Sequence, residues 1–572
     1  MEALKKRLWV SSVLRLVVFG MAILGIYVFF GNLRLILALV LLAMVVFLFL
    51  VSRHTDLKYE RDRVLALVKI NKTELRVLDR NFDDLPEGNE FKDSSHFYSQ
   101  DVDLFGKGSF YQYCNRTALR QGSEKLAELF AENSIEHITE KQEGIKELSQ
   151  KVAWRQNFSA IASLVRTELS HTAVIQWIGK YKPFVPKFME RLSVIFTAVS
   201  VALWVLYFLD GISGWWVTGW FFLGLGISLR YLKSMNRMSG HASKILGTFQ
   251  QYQKLILQLE EQEFQSEWLA GQRKNVVNNT NKASQTLKRF AKLLGTLDQR
   301  NNIIIGIAAN GFFLRDLWLA RRIEKWILEH GPKVGCWFNT IAFFDAHNSL
   351  GNFAFNHPTY TFPTLTEESI VLKTQDAGHP LLSPEKCIAN DLVIKNEQFL
   401  IITGANMAGK STFLRTVSLQ ILMANMGLPI CASHALYSPI KLITSMRTAD
   451  SLSDDSSYFF SELKRLKFIV DEMENDRYFI VLDEILKGTN SKDKARGSRE
   501  FVERLVASKS TGLIATHDLS LCAVSDVLSQ VQNYYFDAQI IDGELFFDYK
   551  FKKGICQNMN ASFLLRKMGI VE

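Results

Sequence analysis

Residues 404 to 412 read Gly-Ala-Asn-Met-Ala-Gly-Lys-Ser-Thr: two glycines with four residues between them, and Lys-Ser directly after the second. This loop constrains the fold because it works only between a buried strand and the first turn of a helix. Both flanks have that character. Phe399 to Thr403 is a short apolar run of the kind that forms a buried parallel strand, and Phe413 to Met423 spaces its apolar residues as a helix does. Gly404 and Gly409 let the backbone turn its N–H groups inward at a helix N-terminus, whose dipole favours anions. Ala405, Asn406, Met407, Ala408 and Thr412 complete the cradle, Lys410 reaches β and γ phosphates, and Ser411 supplies a ligand for Mg²⁺. The expectation is a site for ATP or GTP. The bare alternative, a glycine turn with an incidental lysine, loses ground to two further motifs.

Tyr478 to Leu482 is a second apolar strand, and it ends in Asp483-Glu484. A site that hydrolyses a triphosphate needs one carboxylate for the metal and another to orient and polarise the attacking water. Asp483 takes the first role and Glu484 the second. A third run, Gly512 to Thr516, ends in His517, which brings an imidazole towards the γ-phosphate. A lone histidine at a strand end is more often structural. As the third such element in this order, His517 reads as functional, together with Lys410.

With those residues in place, Thr403 to Thr412 resembles the TGPNMxGKST loop of the MutS DNA mismatch-repair family, whose Asn and Met are diagnostic. Gly378 to Leu382 and Ala389 to Asp391 resemble the segments that precede it. Asp483-Glu484 with Lys487 to Asn490, and Ala515 to Asp518, are similar to two that follow. Asp454 to Glu462 resembles the segment carrying the family's signature serine, which would be Ser457. The resemblance covers about residues 375 to 572. It implies an α/β P-loop ATPase domain, ABC-like and of the MutS type, that uses ATP and Mg²⁺. It also implies a homodimer paired head to tail, with Ser457 reaching the partner's nucleotide. Ala405 replaces the family's usual proline, and Cys387 falls where an adenine-stacking aromatic is common, which leaves base recognition open.

The N-terminal half introduces another solvent. Residues 16 to 30 and 35 to 51 are uncharged apolar runs, and residues 192 to 209 and 211 to 229 form a second pair split by Asp210. Each is close to the ~20 residues that cross a bilayer. Trp204, Trp215, Trp216 and Trp220 suit interfaces, and Lys5, Lys6, Arg7, Arg53, Arg191, Arg230 and Lys233 flank the outer ends. The charge bias predicts a multi-pass protein of the cytoplasmic membrane with both termini and the ATPase in the cytoplasm. Two alternatives stay open: a cleaved signal peptide in the first run, and buried core helices in the second pair.

The domains expected are a transmembrane hairpin (1–54), a polar linker (55–94), a helical MutS-like core (95–187), a second hairpin (188–232), lever and core helices (233–363), and the ATPase domain (364–572). The fold class is thus α/β plus an all-α core and lever region that carries the transmembrane helices. Asn115 to Thr117 with Gly122 resembles a helix of the family's core, and residues 240 to 330 place apolar residues at heptad-like intervals. No mismatch-reading domain is recognisable before the core, so mismatch recognition does not carry over residue by residue. The net charge of +9 suits nucleic acid or anionic lipid. Cys114, Cys336, Cys387, Cys431, Cys522 and Cys556 show no zinc-like spacing and read as reduced thiols.

Three outputs follow. The first is an ATP-driven dimeric switch on double-stranded DNA, in mismatch repair or a related transaction, with an exposed basic surface around Lys274, Lys282, Lys288 and Arg289. The second is a membrane mechanoenzyme that acts on a protein or lipid partner without DNA. The third is a soluble scaffold whose apolar runs are core.

Overall fold

The computed structural model describes residues 2–164, 169–277, 282–301, 303–447, 458–541, 544–557 and 570. The chain divides into two compact units that interleave in sequence. One comprises Met1–Leu75, Ala153–Glu263 and Gln272–Ala342, and the other Arg76–Val152, Phe264–Gly271 and Phe343–Glu572.

The first unit is helical. Glu2–Val28 and Leu33–Leu78 form a hairpin that turns at Gly31, which holds the left-handed φ of 102°. The second helix runs well past the expected hairpin end, so residues 55 to 78 are helix and not a polar linker. Between Ser52 and Leu78 there is no glycine or proline to stop it, and Glu60 and Arg63 pair one turn apart at 3.7 Å. Among the described residues, three helices are long and apolar enough to cross a membrane: Glu2–Val28, the stretch from Ala38 within Leu33–Leu78, and Met189–Phe208. The fourth expected span forms the helix Gly214–Arg230, which at 17 residues is shorter than these.

The Met189–Phe208 and Gly214–Arg230 pair is backed by a short helix, Ile303–Phe313, that the sequence reading did not separate from its surroundings. Ser200 Oγ donates to Phe312 O at 2.5 Å and accepts from Trp220 Nε1 at 2.8 Å. Gly224 permits the close approach, because a Cβ there would lie 2.2 Å from Gly311 O. On the other side the pair exposes Val194, Ile195, Val201, Phe208, Trp215, Trp216, Phe222 and Leu223. An aqueous surface rarely shows so continuous an apolar face.

Leu232–Glu261 and Ala283–Asp298 lie together along seams of heptad spacing. Met238, Ala242, Ile245, Phe249, Tyr252, Ile256 and Leu259 are buried on one helix, and Ala283, Leu287, Phe290, Leu294 and Leu297 on the other. Steps of three and four keep each seam on one side. Phe290 stacks on Trp326 of the long helix Arg315–Asn356 with ring centroids 3.8 Å apart.

The second unit is α/β. Its strands are β1 Thr364–Leu365, β2 Ile370–Ala377, β3 Asn390–Lys395, β4 Phe399–Gly404, β5 His434–Tyr437, β6 Lys441–Ser445, β7 Tyr478–Asp483, β8 Thr511–Ala515, β9 Val531–Phe536, β10 Gln539–Ile541, β11 Glu544–Phe546 and β12 Lys552–Lys553. The main sheet has the order β12-β9-β4-β8-β7-β6, parallel except for β12 at one edge. A second sheet has the order β1-β5-β2-β3. All six residues of β4 are buried, as a central parallel strand requires. Register pairs Ile402 with Ala515 and Asp483 with Ala515, so β4, β8 and β7 end at one level.

Residues 76 to 152 belong to this unit because they share its core. Val77, Tyr98, Phe110, Leu126 and Ile145 are buried in one cluster with Leu350, Leu372, Leu414 and Val481. The expected helical core 95–187 is therefore divided at Val152. Asp345 fastens the segment: its carboxylate accepts from Ala118 N at 3.1 Å and Leu119 N at 2.9 Å, at the start of the helix Arg120–Ala131. Gly122 leaves room for it, since a Cβ there would lie 2.1 Å from Asp345 Oδ2.

Candidate nucleotide-binding site

The expected residues converge where β4, β8 and β7 end. The loop from Gly404 to Gly409 joins β4 to the helix Lys410–Asn425, and Gly409 caps that helix with φ 102°. Gly404 has φ 149°, and a Cβ on it would lie 2.6 Å from Phe536 O. Ala405 and Ala408 are buried, whereas Asn406 and Met407 face solvent, Met407 with the left-handed φ of 67°. Backbone in this conformation costs a non-glycine residue energy that a binding loop can hold.

Lys410 is almost wholly buried, and its Nζ donates to Gly404 O at 2.8 Å and Ala405 O at 3.0 Å. His517 Nε2 lies 3.3 Å from the same Nζ. Burial and the Lys410 charge both depress the His517 pKa, so the imidazole is neutral near pH 7 and Nε2 accepts from the ammonium. Burial also lowers the Lys410 pKa, opposed by the charges of Asp483 and Glu484.

Ser411 Oγ donates to Asp483 Oδ2 at 2.6 Å. A hydroxyl and a carboxylate side by side form a pair of hard oxygens of the kind Mg²⁺ takes. Glu484 follows with φ 54°, held by its N–H donating to Ala515 O at 2.8 Å. Its carboxylate accepts from Lys494 Nζ at 2.7 Å. Burial would raise the Glu484 pKa, but the hydrogen bond and charge of Lys494 outweigh it and hold the carboxyl below its ordinary value.

Asn406, Met407, Gly409, Lys410, Ser411, Asp483, Glu484 and His517 line one cavity of about 1160 Å³, which also takes in Thr412, Lys487, Cys387, Phe547 and Tyr549. Ser457 lies outside the described residues. Two residues escaped the sequence reading. Lys494 sits in the first turn of the helix Ser491–Ala507, which Asn490 caps through Asp493 N at 3.0 Å. A cap signal followed by a lysine is too common to single out. Tyr549 lies against the loop, so that a Cβ on Gly409 would sit 3.0 Å from Tyr549 Cδ1. It follows β11 in a stretch without a motif, and its ring lines the same cavity as Cys387. Lys274, Lys282, Lys288 and Arg289 are exposed on or beside helices of the first unit.

Fold and site together define an α/β protein whose glycine loop and two acidic residues meet at the carboxyl ends of parallel strands. Residues 400–565 match the family model of MutS domain V. It is 33% identical over 212 residues to human "MutS protein homolog 4", covering 35% of this chain and 22% of that protein. It is 28% identical over 300 residues to the "DNA mismatch repair protein MutS" of Bacteroides fragilis, covering 50% and 33%. To the protein of the same name from Methanosarcina acetivorans it is 32% identical over 222 residues, covering 37% and 24%. The matched region is thus a third or less of each of these relatives.

Proposed function

We propose that this chain is a membrane-anchored ATPase of the MutS type, a dimeric switch that acts on double-stranded DNA in mismatch repair or recombination. The observation that carries the hydrolytic part is the meeting of Lys410, Ser411, Asp483, Glu484 and His517 in one cavity. DNA as partner rests on the names of the relatives, which cover only part of each.

The residues present fit ATP and Mg²⁺. Two glycines in left-handed backbone bring N–H groups to the first turn of a helix, and the cavity has the volume for a nucleoside triphosphate. Ser411 and Asp483 would hold Mg²⁺, which when bound neutralises charge on the β and γ phosphates. Lys410 exchanges two backbone carbonyls for phosphate oxygens, so its ammonium is poised at the loop before nucleotide arrives. Glu484 orients the attacking water once its carboxylate is released from Lys494. Once Lys410 has turned to the phosphates, a neutral His517 in the tautomer protonated at Nε2 would donate a hydrogen bond to the γ-phosphate and add no charge. Tyr549 offers a face to the base. Ser457 is assigned by resemblance to the partner's nucleotide across a homodimer.

Membrane anchoring is supported by the exposed apolar faces of the hairpins and, among the described residues, by three helices of spanning length. The flanking basic residues orient both termini and the ATPase towards the cytoplasm. The exposed Lys274, Lys282, Lys288 and Arg289 are available to phosphates of the DNA backbone.

The test is the steady-state ATPase rate of the reconstituted chain with and without homoduplex and mismatched DNA. Glu484→Gln is expected to bind fluorescent ATP normally and to lose turnover about a hundredfold or more. A rate that responds to DNA, and does so less at high salt, supports the proposal. An active enzyme indifferent to DNA would leave the ATPase standing and transfer the output to a protein or lipid partner.

A further inference from the structure

A second cavity, of about 580 Å³, lies within the first unit. The end of Gly214–Arg230, the start of Leu232–Glu261 and the helix Ile303–Phe313 build its walls, with Arg300 and Asp316 beside them. One side is apolar: Leu225, Leu229, Leu232 and Ile307. The last three are exposed, as are Phe222 and Leu223 on the same hairpin helix, so this side continues the apolar surface already described. The other side is polar. Arg300 Nε lies 2.6 Å from Asp316 Oδ2, and Asp316 N is fixed by Asn310 Oδ1 at 3.0 Å. Ser228 Oγ is buried and has no hydrogen-bond partner among the described residues.

Arg300 and Asp316 are the charged residues in this lining, so it offers one cation, one anion and no excess of either. A guanidinium carries five N–H donors, more than one carboxylate uses. Both are held at the polar end of a cleft whose mouth is apolar. A purely anionic ligand that took the Arg300 guanidinium would leave the Asp316 carboxylate without a partner, and a purely apolar one would leave the Ser228 hydroxyl buried without a bond.

We propose that this cavity binds one zwitterionic phospholipid at the base of the hairpin. The phosphate meets the Arg300 guanidinium and the ammonium meets the Asp316 carboxylate. An acyl chain leaves along Leu225, Leu229, Leu232 and Ile307. The proposal rests on the hairpin being embedded in a bilayer, and it adds a specific lipid to that reading.

The experiment uses the full chain in vesicles containing a phosphatidylethanolamine with a photoactivatable group near the head of one chain, followed by peptide mapping. Cross-links are expected on residues 225–243 and 306–317. Gly240 lines the cavity with open space where its Cβ would be, so Gly240→Leu has room to fill the cleft. That variant and Arg300→Gln should each lower cross-linking there about tenfold. Labelling of the outer face of Met189–Phe208 should stay unchanged. Ser243→Leu is a second filling variant should the first fail to fold, as judged by its ATPase rate. Labelling unaffected in the folded variants overturns the pocket, and so does stronger labelling by an anionic phosphatidylglycerol probe. Alkaline extraction of the same membranes separates the two readings. Protein released into the supernatant overturns the membrane placement itself, whereas retained protein with unaltered labelling overturns the lipid site alone.

Discussion

Lys494 restrains Glu484, and that one contact makes the pH profile of hydrolysis predictable. Because Lys494 holds the Glu484 pKa below its ordinary value, the carboxylate persists to lower pH than a free glutamate would. Lys494→Met removes the charge and lets the pKa rise, so the acid limb of kcat/KM, which reports the nucleotide-free enzyme, should move to higher pH. An unmoved limb would mean that Glu484 is not the group titrating. Asp345 makes the opposite case. Burial raises its pKa to about 7, against hydrogen bonds from Leu119 and Ala118 that lower it. The unfolded chain releases this proton near 3.8 and the folded chain near 7, so its contribution to stability declines as pH rises between them. Asp345→Asn should flatten that part of the unfolding free energy against pH, whereas Asp345→Ala leaves two N–H groups without their acceptor and costs about 2 kcal/mol. Denaturant titrations between pH 4 and 8 read both variants.

At the scale of elements, the hairpin Met189–Phe208 and Gly214–Arg230 packs against a third helix whose apolar run is too short to be read as a span. Ile303–Phe313 has 11 residues, too few to be recognised as a span, yet it packs on both hairpin helices. Gly224 sets the distance. Gly224→Leu places side-chain atoms where Gly311 O lies 2.2 Å from the new Cβ and should cost about 2 kcal/mol. Thermal unfolding in detergent should fall accordingly, while Gly226→Leu, with nothing within 4 Å of its Cβ, should leave it unchanged. Equal losses from the two substitutions would count against the packing described.

At the scale of the molecule, the α/β unit carries several buried or half-buried neutral histidines. His347, His357 and His379 each have the pKa pushed down to about 4 by burial. In the unfolded chain they take up protons near 6.5. Stability from this source is therefore complete above about pH 6.5 and falls as pH drops towards 4. The α/β unit should unfold at lower denaturant concentration at pH 5 than at pH 7.5. His347→Gln is expected to reduce the difference, and a difference that stays the same would remove His347 from the account.

The local signals were legible because each is a short-range requirement. A glycine loop must lie between strand and helix, an acidic pair must end an apolar strand, and spans and heptad seams repeat along one element. From these the loop, Asp483, Glu484, His517, the apolar hairpins and the heptad helices could be named from the sequence. Tertiary structure decided what depends on distant partners. Lys494 matters because helix Ser491–Ala507 turns it onto Glu484, and Tyr549 because an unmarked segment after β11 returns over Gly409. Residues 76 to 152 join the α/β unit because their apolar side chains complete its core and Asp345 fixes their helix. Periodicity states which face of an element avoids water, and only the packed chain states what that face meets.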